Sequence, residues 1–161
     1  TINKLAENYN IQVNKSKFKG LYGIGEIENK KVMLLKPQTY MNLSGQSIKE
    51  AVDFYKINLE NLIVIYDDMD VEMGKIKVRK AGGPGSHNGM KSVVAELKSK
   101  QFKRIRVGIG KPIDKSMLIE YVIGAIPEDE VPKLDQGTTL AKEAVVEILK
   151  NGIDIAMNKF N

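Results

Sequence analysis

The run Asn-Leu-Ile-Val-Ile-Tyr at residues 61–66, closed by Asp67-Asp68-Met69-Asp70, most constrains what this chain can become. A short, near-continuous apolar run without helical spacing suits a strand covered on both faces, the habit of parallel sheets packed between helices. The flanking patterns agree. Residues 75–79 (KIKVR) and 102–109 (FKRIRVGI) alternate as half-exposed strands, and residues 18–27 and 31–35 also read as strands. Glu28-Asn29-Lys30 between the latter two predicts a hairpin turn. Helical spacing places Ile2, Leu5 and Ala6 on one face at the start. A second helix is expected from about Gly45 to residue 56, with Ser44 or Asn42 as its cap. A third carries Met90, Val93, Val94 and Leu97 on its apolar face. A fourth runs from Pro127 to an Asn151-Gly152 C-cap, followed by a short tail. The expected architecture is one α/β domain over residues 1–161, with a twisted, mixed but mostly parallel sheet and helices on both faces.

Composition narrows the chemistry. The chain has no Cys and one His, which excludes a disulfide framework, a thiolate metal site, a Cys nucleophile and a two-His device. No apolar run approaches the roughly 18 residues of a membrane span, and no signal peptide is evident. A soluble, cytoplasmic protein is expected. The net charge of +5 is unevenly spread: residues 1–112 hold 20 Lys/Arg and 11 Asp/Glu, whereas residues 113–161 hold 5 and 9. That asymmetry suggests a polyanion on one side, although a solvated Lys-rich surface would look the same.

Several polar residues stand where a site would form. In open α/β sheets, ligands bind beyond the carboxyl ends of the strands, and Asp67 stands at such an end. Asp67, Asp68 and Asp70 read either as a turn in which Asp bonds its own backbone or as an acidic metal cluster. The segment Gly82-Gly83-Pro84-Gly85-Ser86-His87-Asn88-Gly89 opens a helix but lacks the Lys-Ser/Thr ending of a nucleotide P-loop and the spacing of a dinucleotide loop. His87 fits a capping or packing role, yet it is the only side chain with an ordinary pKa near neutrality. Asn42 is either a helix cap or a neutral donor and acceptor for a carbonyl. Arg79 and Arg106 lie on alternating strands among Lys75, Lys77, Lys103 and Arg104, as solvated faces or as phosphate ligands.

Five segments, in this order, resemble bacterial-type peptidyl-tRNA hydrolase: KPQTYMNLSG at residues 36–45, DDMD at 67–70, GSHNGMKS at 85–92, FKRIRVGIG at 102–110, and Tyr121-Val122-Ile123-Gly124. The resemblance spans essentially the whole chain. It implies the peptidyl-tRNA hydrolase fold and hydrolysis of the ester joining a peptide to the 3′ end of tRNA. A His acts there as general base on water, and no metal or cofactor is used. By the same resemblance, Asp67 orients that base. Tyr40, Met41, Asn42, His87 and Asn88 bind the substrate near the reacting carbonyl, His87 as a second, non-catalytic His. Arg79 and Arg106 hold the tRNA 5′-phosphate. The expected partner is peptidyl-tRNA, engaged by a monomer away from membranes.

In the family, the catalytic His follows a first strand and a G-x-G-N-P-G loop, and this sequence starts with Thr1 just past that point. The complete molecule is expected to carry that segment; a form without it would lack the base and be inactive. The alternatives are a catalytically silent RNA-binding relative of the same fold and a metalloenzyme built on Asp67, Asp68 and Asp70.

Overall fold

The structure, a computed structural model, describes residues 1–111 and 128–161. The elements are α1 (Ile2–Asn8), β1 (Lys15–Lys17), β2 (Gly20–Ile27), β3 (Lys30–Pro37), α2 (Ser44–Tyr55), β4 (Ile63–Asp68), β5 (Ile76–Arg79), α3 (Asn88–Leu97), β6 (Lys103–Gly108), α4 (Val131–Asn151) and α5 (Ile153–Phe160). The Tyr121–Gly124 motif and Pro127 lie outside the described residues.

The expected mixed α/β class holds, with a different pairing. The strands form two three-stranded sheets, β1-β2-β3 and β4-β6-β5. Among the described residues, β4–β6 is parallel, while β1–β2, β2–β3 and β5–β6 are antiparallel. The pairing among the described residues is therefore not mostly parallel. Two tight turns explain much of this, because two-residue connections join only antiparallel neighbours. One is the expected turn, with Glu28 and Asn29 both at positive φ (51° and 63°) and Ile27 paired to Lys30. The other was not expected. Phe18 and Lys19 (φ 57° and 51°) split residues 15–27 into a hairpin, with Lys17 opposite Gly20. A phenylalanine in the left-handed region is strained, and this one is buried with its ring 5.2–5.8 Å from Tyr22, Phe54 and Tyr55. Burial of the ring offsets the strained backbone.

The alternation along β4, β5 and β6 sorts residues to two faces. Ile63, Ile65, Ile76, Val78, Ile105 and Val107 pack with α4 and α5 in the larger core, together with Ala141, Ala144, Val145, Ile148 and Ala156. Val64 and Tyr66 pack on the other side with Phe102, Ile48 and Val52 of α2 and Met90 and Val93 of α3. No helix among the described residues is long and apolar enough to cross a membrane.

Two local expectations are corrected. Neither Ser44 nor Asn42 caps α2: Leu43 holds the N-cap position with no side-chain bond, and the Ser44 hydroxyl donates to the Met41 carbonyl 2.8 Å away. A 3₁₀ turn at Met41–Leu43 leads directly into the helix, which leaves no extended residue to act as a cap. Beyond Gly152 the chain is not a tail but α5, whose Ile153, Ala156, Met157 and Phe160 share one face against the core. The Asn161 carboxamide then pairs with β5, accepting from the Val78 N–H (2.7 Å) and donating to its carbonyl (3.0 Å).

Candidate active site

Asp67 sits near the C-terminal end of β4, opposite Val107 of β6, beside a cleft of about 550 Å³. That cleft is lined by the outer strands of the two sheets, through Leu35, Lys36 and Pro37 of β3 and Ile65, Tyr66 and Asp67 of β4. The Asp67 carboxylate, 40% exposed, lies 3.1 Å from His87 Nε2 through Oδ1. His87 is the N-cap of α3, and its Nδ1 accepts the Met90 N–H at 3.2 Å. A ring nitrogen that accepts carries no proton, so the neutral imidazole keeps its proton on Nε2 and donates it to Asp67. Both ring nitrogens are thereby committed, which suits a positioning role and not that of a free base. The Tyr66 ring meets the imidazole edge-on at 5.1 Å. The His87 hydrogen bond holds the Asp67 carboxyl below the usual aspartate range, against an opposing contribution from burial.

Two glycines let α2 and the turn ahead of it approach α3 closely at this point. At Gly45, the start of α2 lies directly on the Ser92 and Val93 backbone of α3, with no room for a Cβ. The Gly45 N–H donates to Ser92 Oγ at 2.9 Å, which satisfies a helix-end donor that α2 does not cap for itself. At Gly89, a Cβ would lie 2.7 Å from Met41 Sδ and 2.9 Å from the His87 ring. The Met41–Leu43 turn therefore packs on the start of α3. Tyr40 and Met41 are 82% and 58% exposed, and Asn42 and Asn88 are also exposed. Such a surface of large apolar and amide groups, open to solvent beside a fixed carboxylate, is what a ligand would cover.

The acidic triplet diverges. While Asp67 faces His87, Asp68 Oδ2 accepts from Arg106 Nε at 2.7 Å and its Oδ1 from the Asp70 N–H, an Asx turn. Asp70 pairs with Lys111 at 2.8 Å. Among the described residues, no group of three His, Cys, Asp or Glu side chains is placed to hold a metal ion. Arg106 lies opposite Lys77, and Arg79 opposite Arg104, so these four basic residues share one sheet face, away from α4 and α5. Arg79 Nη1 donates to the Val78 carbonyl at 3.0 Å. The sequence reading missed Ser92 and Arg104, whose roles depend on contacts between segments that neither period nor motif reveals.

The peptidyl-tRNA hydrolase family model matches residues 1–161. A peptidyl-tRNA hydrolase of Clostridium beijerinckii is 48% identical over 160 residues, covering 99% of this chain and 83% of its own length. One of Caldanaerobacter subterraneus is 49% identical over 160 residues, covering 99% and 86%. The crystal structure of peptidyl-tRNA hydrolase from Acinetobacter baumannii superimposes with a TM-score of 0.92 at 35% identity, over 99% of this chain and 82% of that one. On the match along its whole length and on the fold, this chain belongs to the peptidyl-tRNA hydrolase family.

Proposed function

We propose that this family member hydrolyses the peptide–tRNA ester by general-base attack of water at the mouth of the cleft beside Asp67. The observation that carries the reading is the tautomer lock. Met90 N–H fixes His87, His87 fixes Asp67 Oδ1, and the ionised carboxylate is thereby presented at a strand end with its other oxygen left for a second imidazole. A carboxylate held in this way orients a neighbouring His and favours its protonated form as the base takes the proton from water. Asn42 and Asn88, both exposed amides, bind the carbonyl and the peptide backbone, with Tyr40 and Met41 as the apolar wall. Arg79 and Arg106 take the tRNA 5′-phosphate. The protein works as a single-domain monomer on the acceptor end of peptidyl-tRNA, in the cytoplasm where translation generates it.

His87 is the one imidazole in the sequence and both of its ring nitrogens are engaged, so the proposed mechanism requires a second imidazole beside Asp67. The relatives are longer than the matched region. The cleft between β3 and β4 offers the backbone edges of both strands to one additional strand, which would join the two sheets and deliver an imidazole beside Asp67. The test is peptide release from peptidyl-tRNA by the full-length protein. Asp67→Asn is expected to lower kcat about 100-fold or more, on the scale of a general base's contribution, with tRNA affinity changed far less. Unchanged turnover in that variant would remove Asp67 from the mechanism.

A further inference from the structure

Arg104 is the largest side chain buried to about the degree of the apolar core, with 2% exposure. A guanidinium taken out of water is costly unless its charge is balanced, and the usual partner is a carboxylate. Here the partners are carbonyl oxygens. Nη1 donates to Gly83 at 3.3 Å and Nη2 to Lys100 at 2.9 Å. The guanidinium also sits 4.4 Å from the Phe102 ring centroid, and Nε has no hydrogen-bond partner among the described residues. So expensive an arrangement needs a reason beyond packing.

The glycine loop supplies one. A Cβ at Gly82, Gly83 or Gly85 would meet nothing within 4 Å, so these glycines border open space, and within the loop the His87 N–H donates to the Pro84 carbonyl at 3.3 Å. The Gly82 N–H donates to the same Lys100 carbonyl at 3.3 Å, so Arg104 closes a bridge between residues 82–83 and residue 100. Four residues beyond Gly83 the chain reaches His87. A second connection runs through Tyr66, which shares a sheet face with Arg104 and sets its ring edge against His87. Tyr66 is directly opposite Arg106, and Arg104, opposite Val64, is its diagonal neighbour on that face, which places Arg104 beside the ring that meets His87. Burial raises the Tyr66 phenol pKa against the fields of both arginines.

We propose that Arg104 is a positioning residue: by bridging the Gly83 and Lys100 carbonyls it fixes the glycine loop, and through the loop it fixes the His87–Asp67 pair and Asn88. The inference rests on the reading of the site given above, and two readouts separate the two. In the full-length protein, Arg104→Met removes the bridge while keeping an apolar stem over Phe102. Arg104→Lys keeps the charge but cannot span two carbonyls. Both variants are expected to melt within about 3 °C of the parent. In both, kcat should fall about 10-fold or more with KM changed less than about 3-fold, as for a small misplacement of reacting groups. The ¹⁵N imidazole resonances of His87, assigned with a His87→Gln control, should move from a fixed Nε2–H form towards tautomer averaging.

The proposal is overturned if the His87 resonances coincide with those of the parent, if Arg104→Lys restores full turnover, if activity falls only in step with the folded fraction, or if neither variant folds. If the parent protein releases no peptide, the functional reading falls, and the His87 spectra still decide the role of Arg104.

Discussion

Asp67 is held ionised by the proton on His87 Nε2, while partial burial works against the charge. Its folded-state pKa therefore lies below the ordinary aspartate value of about 3.9. A depressed pKa contributes stability that is present above the unfolded value and lost as pH falls through the folded value. With the side chain 40% exposed, solvent screens the contribution to at most about 1 kcal/mol. Urea midpoints of wild type and Asp67→Asn should differ at neutral pH and converge below about pH 3.9. A gap that stays constant with pH would show that ionisation plays no part. The two arginines assigned to phosphate differ in a measurable way. Arg79→Ala should reduce the salt slope of tRNA binding by about one phosphate contact. Arg106→Ala should weaken binding further, because it also leaves the Asp68 carboxylate without its 2.7 Å partner, beside a polyanion. Equal slopes in wild type and both variants would remove the clamp. Most residues marked by the motifs were conspicuous because they stand at a strand end or helix start, where side chains leave the core, Arg106 within β6 being the exception. Ser92 and Arg104 were not, since a serine within an amphipathic helix and an arginine on an alternating strand look like solvated positions.

The helices show where sequence spacing succeeds and where contact decides. Lys56 and Lys98 end α2 and α3 in the left-handed region, at φ 50° and 52°. Glycine is favoured at such C-terminal positions because a Cβ is strained there. Lys56→Gly and Lys98→Gly should each raise stability by about 0.5–1 kcal/mol in denaturant titrations. No gain at either position would show that the lysine stems contribute packing equal to the strain. Gly45→Ala should do the opposite: a methyl group placed against the Ser92 carbonyl must push α2 and α3 apart, costing about 1–3 kcal/mol. Turnover should fall with it, because the Met41–Leu43 turn rides on that contact. The apolar face of α3 followed from helical spacing. The same spacing was present at Ile153, Ala156, Met157 and Phe160 of α5, but Gly152 ahead of them looked like the end of helical structure. The Phe18-Lys19 turn was hidden because neither residue favours positive φ; the aromatic cluster holds it there, together with the Gln38 N–H donating to the Lys19 carbonyl at 2.9 Å and Lys19 Nζ donating to Gln46 at 2.8 Å.

Across the molecule, strand identity was more readable than strand partnership. The alternation of apolar residues shows which segments extend, but β4 pairs with β6 across a stretch containing β5 and α3, and no local pattern encodes that order. The acidic excess of residues 113–161 does not lie on the covering helices, since residues 131–161 hold four Lys and four Asp/Glu. The helices α4 and α5 cover one face of the β4-β6-β5 sheet, while Lys77, Arg79 and Arg106 lie on the other, where Arg104 is buried. If one additional strand fills the cleft between β3 and β4, amide hydrogen exchange of the full-length protein should show both strands protected along their cleft-facing edges. Rapid exchange along both would mean that the cleft stays open to water.

The Asn161 carboxamide also shapes how these molecules behave at high concentration. By occupying both backbone groups of Val78, it denies the rim of β5 to a strand from a neighbouring molecule. Asn161→Ala would leave the Val78 N–H without a partner and its carbonyl with the Arg79 guanidinium alone, and light scattering of concentrated samples should then register aggregates that the parent does not form. Such a result would make one amide at the end of α5 a guard on a strand rim, separate from anything the enzyme does to its substrate.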